Sequence, residues 1–330
     1  MTDEITDITI IGGGPTGLFS TFYAGMRQMS VRLIDSLPEL GGQLTELYPD
    51  KYIYDVGGFP KILAKDLVDN LVEQAQYADP EFHLGETVQS YRKEDDHFVL
   101  TTDQGEYLTR TILITAGVGA FQPRKLGLDN EAEFEGASLQ YAVRDLAKFR
   151  DKDVVVLGGG DSALDWALML EDLAKSVTLV HRRERFTAHE NTVQKVKNSS
   201  VNVKTSLNVT EIRGEAGQIE ELVLSSKKGD DEEVIKADQL IVNFGNISSL
   251  GPLKEWGLKL DKNSIEVDAH METNIAGIFA AGDVTTFEGK VKLIATGFGE
   301  APVAISYAKS SYDSKSRIQP KHSTAVFKQD

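Results

Sequence analysis

The chain has no cysteine in 330 residues. That absence removes disulfides, thiolate nucleophiles and cysteine-held clusters from its chemistry. Histidine is sparse as well, at positions 83, 97, 181, 189, 270 and 322, with no HExxH and no close ligand spacing. No metal site is therefore expected. No apolar run approaches the roughly 18 to 20 residues that span a bilayer. The opening MTDEITD is acidic, where a signal peptide starts basic and turns apolar. A cytoplasmic protein without membrane contact is the expectation. Basic charge is also in deficit, with 35 Lys and Arg against 51 Asp and Glu and a net charge of −16. A surface of that sign repels phosphate backbones, so nucleic acid is not an expected partner.

What is present points elsewhere. The composition, 41% apolar and 26% charged, is that of a globular protein, and the length suggests about two domains. In the first 35 residues DITII reads as a β-branched strand, GGGPTG as a turn, LFSTFYAGMRQM as a helix and VRLID as a second strand. Gly12, Gly14 and Gly17 make G-x-G-x-x-G. The first permits the tight turn, the second lets a pyrophosphate approach the backbone, and the third lets helix and strand pack closely. The helix N-terminus offers N–H donors to phosphate. Asp35 closes the second strand, 21 residues after Gly14, where a carboxylate accepts hydrogen bonds from a ribose 2′-OH.

The pattern recurs in DVVVLGGGDSALDWALMLEDLAKSVTLVHRR, with Gly158, Gly160 and Ala163 in the three roles and Ser162 at the helix start. Twenty-one residues after Gly160 stands His181, followed by Arg182 and Arg183. An acid there would repel a 2′-phosphate, whereas guanidinium groups bind phosphate through forked, charge-assisted hydrogen bonds. The second copy is accordingly assigned to NADP(H) through Arg182 and Arg183. The first, with Asp35, suits a nucleotide lacking the 2′-phosphate, either FAD or NAD. Further on, TNIAGIFAAGDVT is an apolar strand ending in Gly282-Asp283, and ATGFGEAPVAISYA starts a helix. A carboxylate at such a strand end suits ribityl hydroxyls, and a helix N-terminus suits the charge of reduced flavin. An acidic cap on an ordinary turn would read the same way.

The order GGGPTG, GGQL, TILITAGVGAFQPRKLGL, GGGDSALD, VHRRERF, IFAAGDVT and GFGEAPVAI resembles the two-dinucleotide flavoprotein disulfide reductases. It is most similar to the thioredoxin reductases, over nearly the whole chain. The resemblance implies an α/β fold of two Rossmann-like dinucleotide-binding domains of three-layer ββα type, the NADPH domain inserted in the FAD domain. The implied divisions are 1–117 for the first part of the FAD domain, 118–245 for the NADPH domain, and 246–330 for the second FAD part with a C-terminal tail over the flavin. One part is missing. Where thioredoxin reductases carry C-A-T-C-D, this chain reads YAVRD, with Tyr141 and Arg144 at the cysteine positions. Electrons cannot leave it by dithiol exchange.

A flavoprotein of this layout, without the dithiol and with the tail KSSYDSKSRIQPKHSTAVF, resembles the bacterial thioredoxin-reductase-like ferredoxin–NADP+ reductases. That resemblance makes the first nucleotide FAD. It implies FAD contacts at Gly12, Gly14, Thr16, Gly17, Asp35, Gln43, Tyr48, Val88, Phe121, Asp283 and Thr324, with Tyr48 and His322 against the two faces of the isoalloxazine. The implied reaction is hydride transfer from NADPH to FAD and one-electron release to ferredoxin or flavodoxin. Such a reaction needs no acid–base side chain, in keeping with the lack of a G-x-S-x-G motif. A homodimer is implied too, as is domain rotation about Gly117–Gly119 and Gly245. Residues 301–330 hold Lys309, Lys315, Arg317, Lys321 and Lys328 against Asp313 and Asp330, an expected docking patch for an acidic partner. An NADPH-dependent diaphorase or quinone reductase, or a non-catalytic redox or nucleotide sensor, would carry the same two motifs.

Overall fold

A computed structural model describes residues 2–117, 119–143, 145–226 and 232–319. The chain divides into two compact units, Met1–Phe121 with Ser248–Asp330, and Gln122–Ile247. The divisions fall slightly beyond the glycine-marked 117 and 245. Gly117 and Gly245 have positive φ, 60° and 77°, and turn the chain just ahead of the strands Ala120–Pro123 and Asn246–Ser249. The divisions lie within those strands.

In the first unit β1 (Thr2–Ile11) leads through the glycine loop to α1 (Pro15–Met26), then to β2 (Val31–Asp35) and α2 (Gln43–Leu47). In the second, β3 (Asp153–Leu157), α3 (Asp161–Leu170) and β4 (Ser176–His181) repeat the plan. The chain returns to the first unit with β5 (Ile278–Ala280) and α4 (Ile294–Tyr312).

The first unit's sheet runs Glu81–Leu84, β2, β1 and Glu106–Ile114, all parallel. The end of Glu106–Ile114 also takes β5 in parallel. Its beginning takes His97–Thr102 antiparallel, which pairs in turn with Val88–Glu94. Successive side chains in a strand point to opposite faces, and the burial follows that rule. Ile112 and Ile114 join Val88, Phe98, Leu100 and Trp256 on one side. Leu113 joins Ile8, Ile10, Leu33, Ala304 and Ile305 on the helical side. Strands buried on both faces read as continuous apolar runs, and three layers result.

The second unit is built alike. Leu139–Gln140, Gln239–Val242, β3, β4 and Asn202–Thr205 form a parallel sheet. Val154, Val156 and Leu179 pack on Ala163, Leu164 and Trp166 of α3. Val155, Leu157 and Val180 turn the other way, onto Val209, Leu222 and Leu224 of an antiparallel hairpin, Leu207–Glu215 with Gln218–Ser226. Among the described residues no helix is long and apolar enough to cross a membrane.

Candidate functional site

In the first unit, loops after β1 and β2 bound a cleft enclosing about 1230 Å³ of empty space, open solvent included. The carboxyl edge of a parallel sheet is where open α/β folds bind ligands. Ile11, Ile34, Leu44, Leu250, Leu253 and Ile294 give it apolar walls, with Thr16, Asp35, Gln43, Tyr48 and Asp283 as its polar points. An apolar cleft with a few placed polar groups is the usual form of a cofactor site.

The three glycines of the first loop meet different surroundings. Gly12 has φ +112°, and a Cβ there would stand 2.6 Å from the Thr115 carbonyl oxygen. A Cβ on Gly17 would stand 1.9 Å from the Gly12 oxygen. Gly14 has an ordinary φ of −72°, and its Cβ would meet nothing within 4 Å. Protein packing demands the outer two glycines, while the middle one leaves its backbone bare toward the cleft that it lines.

Asp35 is buried, yet each of its oxygens has a donor. Oδ2 accepts the Gly13 N–H at 2.5 Å, and Oδ1 accepts the Leu37 N–H at 2.8 Å. Burial raises its pKa from 3.8 against the lowering effect of those two bonds. Each carboxylate oxygen retains a further lone pair for a ligand hydroxyl. Tyr48 caps α2 at its C-terminus; burial first, then Asp283 and Asp55, push its phenol above 10.0, so the hydroxyl stays protonated. Thr16 fits between Gly282 and Gly297, whose Cβ atoms would lie 2.8 and 2.2 Å from its Oγ1. Its side chain thus pins α1 to α4 as well as bordering the cleft. The Gln43 amide stands near Gly117, and Val88 is buried in the cleft wall. The Phe121 side chain, His322 and Thr324 lie outside the described residues.

The second loop repeats the first atom for atom in several places. Gly12 N donates to Ile34 O at 2.9 Å, and Gly158 N to Val180 O at 3.0 Å. A Cβ on Gly158 would stand 2.5 Å from the Asn243 oxygen, whereas one on Gly160 would meet only Thr187 Oγ1 at 3.8 Å. Ala163 is buried in the third place, and Ser162 is exposed in the first turn of α3. The difference comes at the end of β4. His181 is buried, its ring so close over Gly159 that a Cβ there would lie 2.1 Å from Cε1. The ring stacks on Phe186 at 5.2 Å, and Nε2 lies 3.2 Å from the Arg185 oxygen, to which its N–H donates. Burial lowers its pKa, and Arg182 and Arg183 lower it further. A neutral wedge therefore fills the place that Asp35 holds in the first unit. Arg182 and Arg183 follow it, exposed and without side-chain partners among the described residues.

Two features escaped the motifs. Asn243 occupies the place of Thr115: Thr115 N donates to Ile11 O, and Asn243 N to Leu157 O. Its Nδ2 is buried without a partner among the described residues, beside the phosphate-type loop. Glu300 of α4 accepts the Gly282 N–H at 2.7 Å and pairs with Lys290. Only the acid amid the small apolar residues of GFGEAPVAI hints at it in the sequence.

The sequence model of the pyridine nucleotide-disulphide oxidoreductase family matches residues 6–308. A ferredoxin–NADP reductase 2 of Bacillus pumilus is 57% identical over 325 residues, covering 98% of each chain. The thioredoxin reductase of T. acidophilum shares the fold with a TM-score of 0.79 at 27% identity, over 94% of this chain and 99% of that one. That of Lactococcus lactis in its FR conformation gives 0.78 at 28%, over 93% and 99%. These likenesses run through both glycine loops and both units, and the chain belongs to the pyridine nucleotide-disulphide oxidoreductase family.

Proposed function

We propose that this chain is an FAD-dependent ferredoxin–NADP+ reductase, moving electrons between NADPH and a ferredoxin or flavodoxin. One observation carries the reading. Two glycine loops of the same geometry end in opposite chemistry, Asp35 in one and a neutral His181 followed by two exposed arginines in the other, within a chain that has no cysteine to pass electrons to a disulfide.

In the first cleft the bare Gly14 backbone receives the pyrophosphate, and Asp35 accepts from the adenosine ribose. The α4 N-terminus, with Ile294 on the cleft and no acid in its first turn, directs its partial positive charge there. Tyr48 is assigned one face of the isoalloxazine and His322 the other, Asp283 the ribityl hydroxyls, and Gln43, Phe121 and Thr324 further FAD contacts. Held by these residues, FAD would supply two-electron hydride acceptance and single-electron release, as a one-electron acceptor requires. In the second unit Gly158, Gly160, Ser162 and Ala163 form the pyrophosphate loop of NADPH, and Arg182 and Arg183 grip its 2′-phosphate. The protein works as a cytoplasmic homodimer.

The test is anaerobic cytochrome c reduction by the FAD-loaded protein with NADPH, with and without a bacterial ferredoxin. A large, saturable increase on adding ferredoxin is expected, with NADH a poor substitute. Fast NADPH oxidation that ferredoxin leaves unchanged would retain the cofactors and reject the acceptor.

A further inference from the structure

Beside the cleft lies a buried charge pair. Lys290, on the loop ahead of α4, and Glu300, within α4, have side chains only 5% and 6% exposed. Lys290 Nζ donates to Glu300 Oε1. Glu300 Oε2 accepts the Gly282 N–H at 2.7 Å. Gly282 has φ +81° and is followed by Asp283, which lines the cleft. On its other side the turn is packed against Thr16. Burying two charges costs several kcal/mol per ion, and apolar residues of similar volume often serve stability as well or better. Stability alone therefore gives no reason for this pair.

We propose that Glu300 and Lys290 are positioning residues for the flavin. Glu300 holds the Gly282–Asp283 turn at the cleft by its backbone N–H, and Lys290 cancels the carboxylate's charge, leaving the α4 terminus to set the local field. The proposal rests on the reading of the cleft as the FAD site. E300Q keeps an oxygen for the Gly282 N–H but leaves Lys290, which also lies over the Phe287 ring, without its counter-charge. K290M leaves the Glu300 charge uncompensated. The two variants alter the local charge by one unit in opposite senses, and E300Q/K290M restores neutrality with the backbone bond retained.

Flavin midpoint potentials are measured by dye equilibration, FAD affinities by reconstitution of the stripped protein, and folding by far-ultraviolet circular dichroism. Extra positive charge favours the reduced, more negative flavin. E300Q should therefore raise the potential and K290M lower it, each weakening FAD binding at least tenfold. The double variant should return to within threefold of the parent affinity and to the parent potential. Potentials unmoved in both single variants, or a double variant no better than the worse single one, would overturn the proposal. If one single variant fails to fold, the other decides: a potential moved in its stated direction supports the pair, and an unmoved potential overturns it. A parent that takes up no FAD overturns the cleft assignment and the proposal together, whereas a parent that binds FAD beside unaffected variants overturns the pair alone.

Discussion

Gly14 and Gly17 stand in one loop and answer to different demands. G14A adds a methyl that touches no protein atom, at a φ open to any residue. The stripped protein should keep its stability to within about 0.5 kcal/mol, while FAD binding weakens tenfold or more. G17A drives a methyl into the Gly12 carbonyl and should cost about 1–3 kcal/mol in urea denaturation of the stripped protein. Asp35 supplies a pH test. Its native pKa lies above 3.8 because of burial, so it gains a proton at a higher pH than an ordinary Asp. Once protonated it loses acceptor capacity, so FAD affinity should begin to fall on acidification while the pH is still above 3.8, followed by flavin fluorescence; D35N should bind weakly with no such step. The folding balance has the matching sign: the native state holds that proton to higher pH than the unfolded chain, so Asp35 makes the stripped protein less stable as pH rises from 3.8 through its native pKa. For the other loop, R182A/R183A should raise KM for NADPH about ten- to a hundredfold, from the roughly 1.5–3 kcal/mol of a charged hydrogen bond, and leave KM for NADH nearly unchanged. The glycines and arginines were legible because backbone clearance and phosphate charge restrict residue type by themselves. The His181 wedge was not, since its burial depends on Phe186 folding back over it, and Asn243 reaches its loop only through the pairing of distant strands.

At the scale of elements, Ile112, Leu113 and Ile114 form one strand buried on both faces, and the structure divides it between the two cores. L113A removes a fully buried side chain and should cost about 2–5 kcal/mol, read from the denaturant midpoint. The two strand–loop–helix–strand repeats were legible, because β-branched runs, glycine turns and apolar helix faces are local signals. Strand order was legible only through the resemblance. The pairing of β5 with Ile112–Ile114 joins segments on either side of the whole second unit, and no local pattern encodes it. The start of β1 shows the converse. Its acidic, polar beginning carries no apolar signal, yet Thr2 pairs with Tyr107 beyond a shift in register, so the strand runs further back than DITII.

Taken whole, the molecule carries −16, and the acidic ferredoxin proposed as its acceptor needs a local exception to that charge. Lys309 is already committed to the Arg27 carbonyl, which leaves Lys315 and Arg317, both exposed, as the described basic residues of the tail; Lys321 and Lys328 lie outside the described residues. K315Q/R317Q should raise KM for ferredoxin about three- to tenfold with kcat unchanged, and the difference should shrink as salt screens it. The first unit is also discontinuous. Its cleft draws Asp35 from one stretch of chain and Asp283 and Ile294 from another, with all of Gln122–Ile247 between them. A ribosome must therefore deliver the entire second unit while the first still lacks β5 and α4. Because domains fold as units during synthesis, the second unit takes shape on the nascent chain before the cleft of the first exists. Only once translation has passed Ile294 are all the walls of that cleft present, so a chain broken off earlier has no complete cleft.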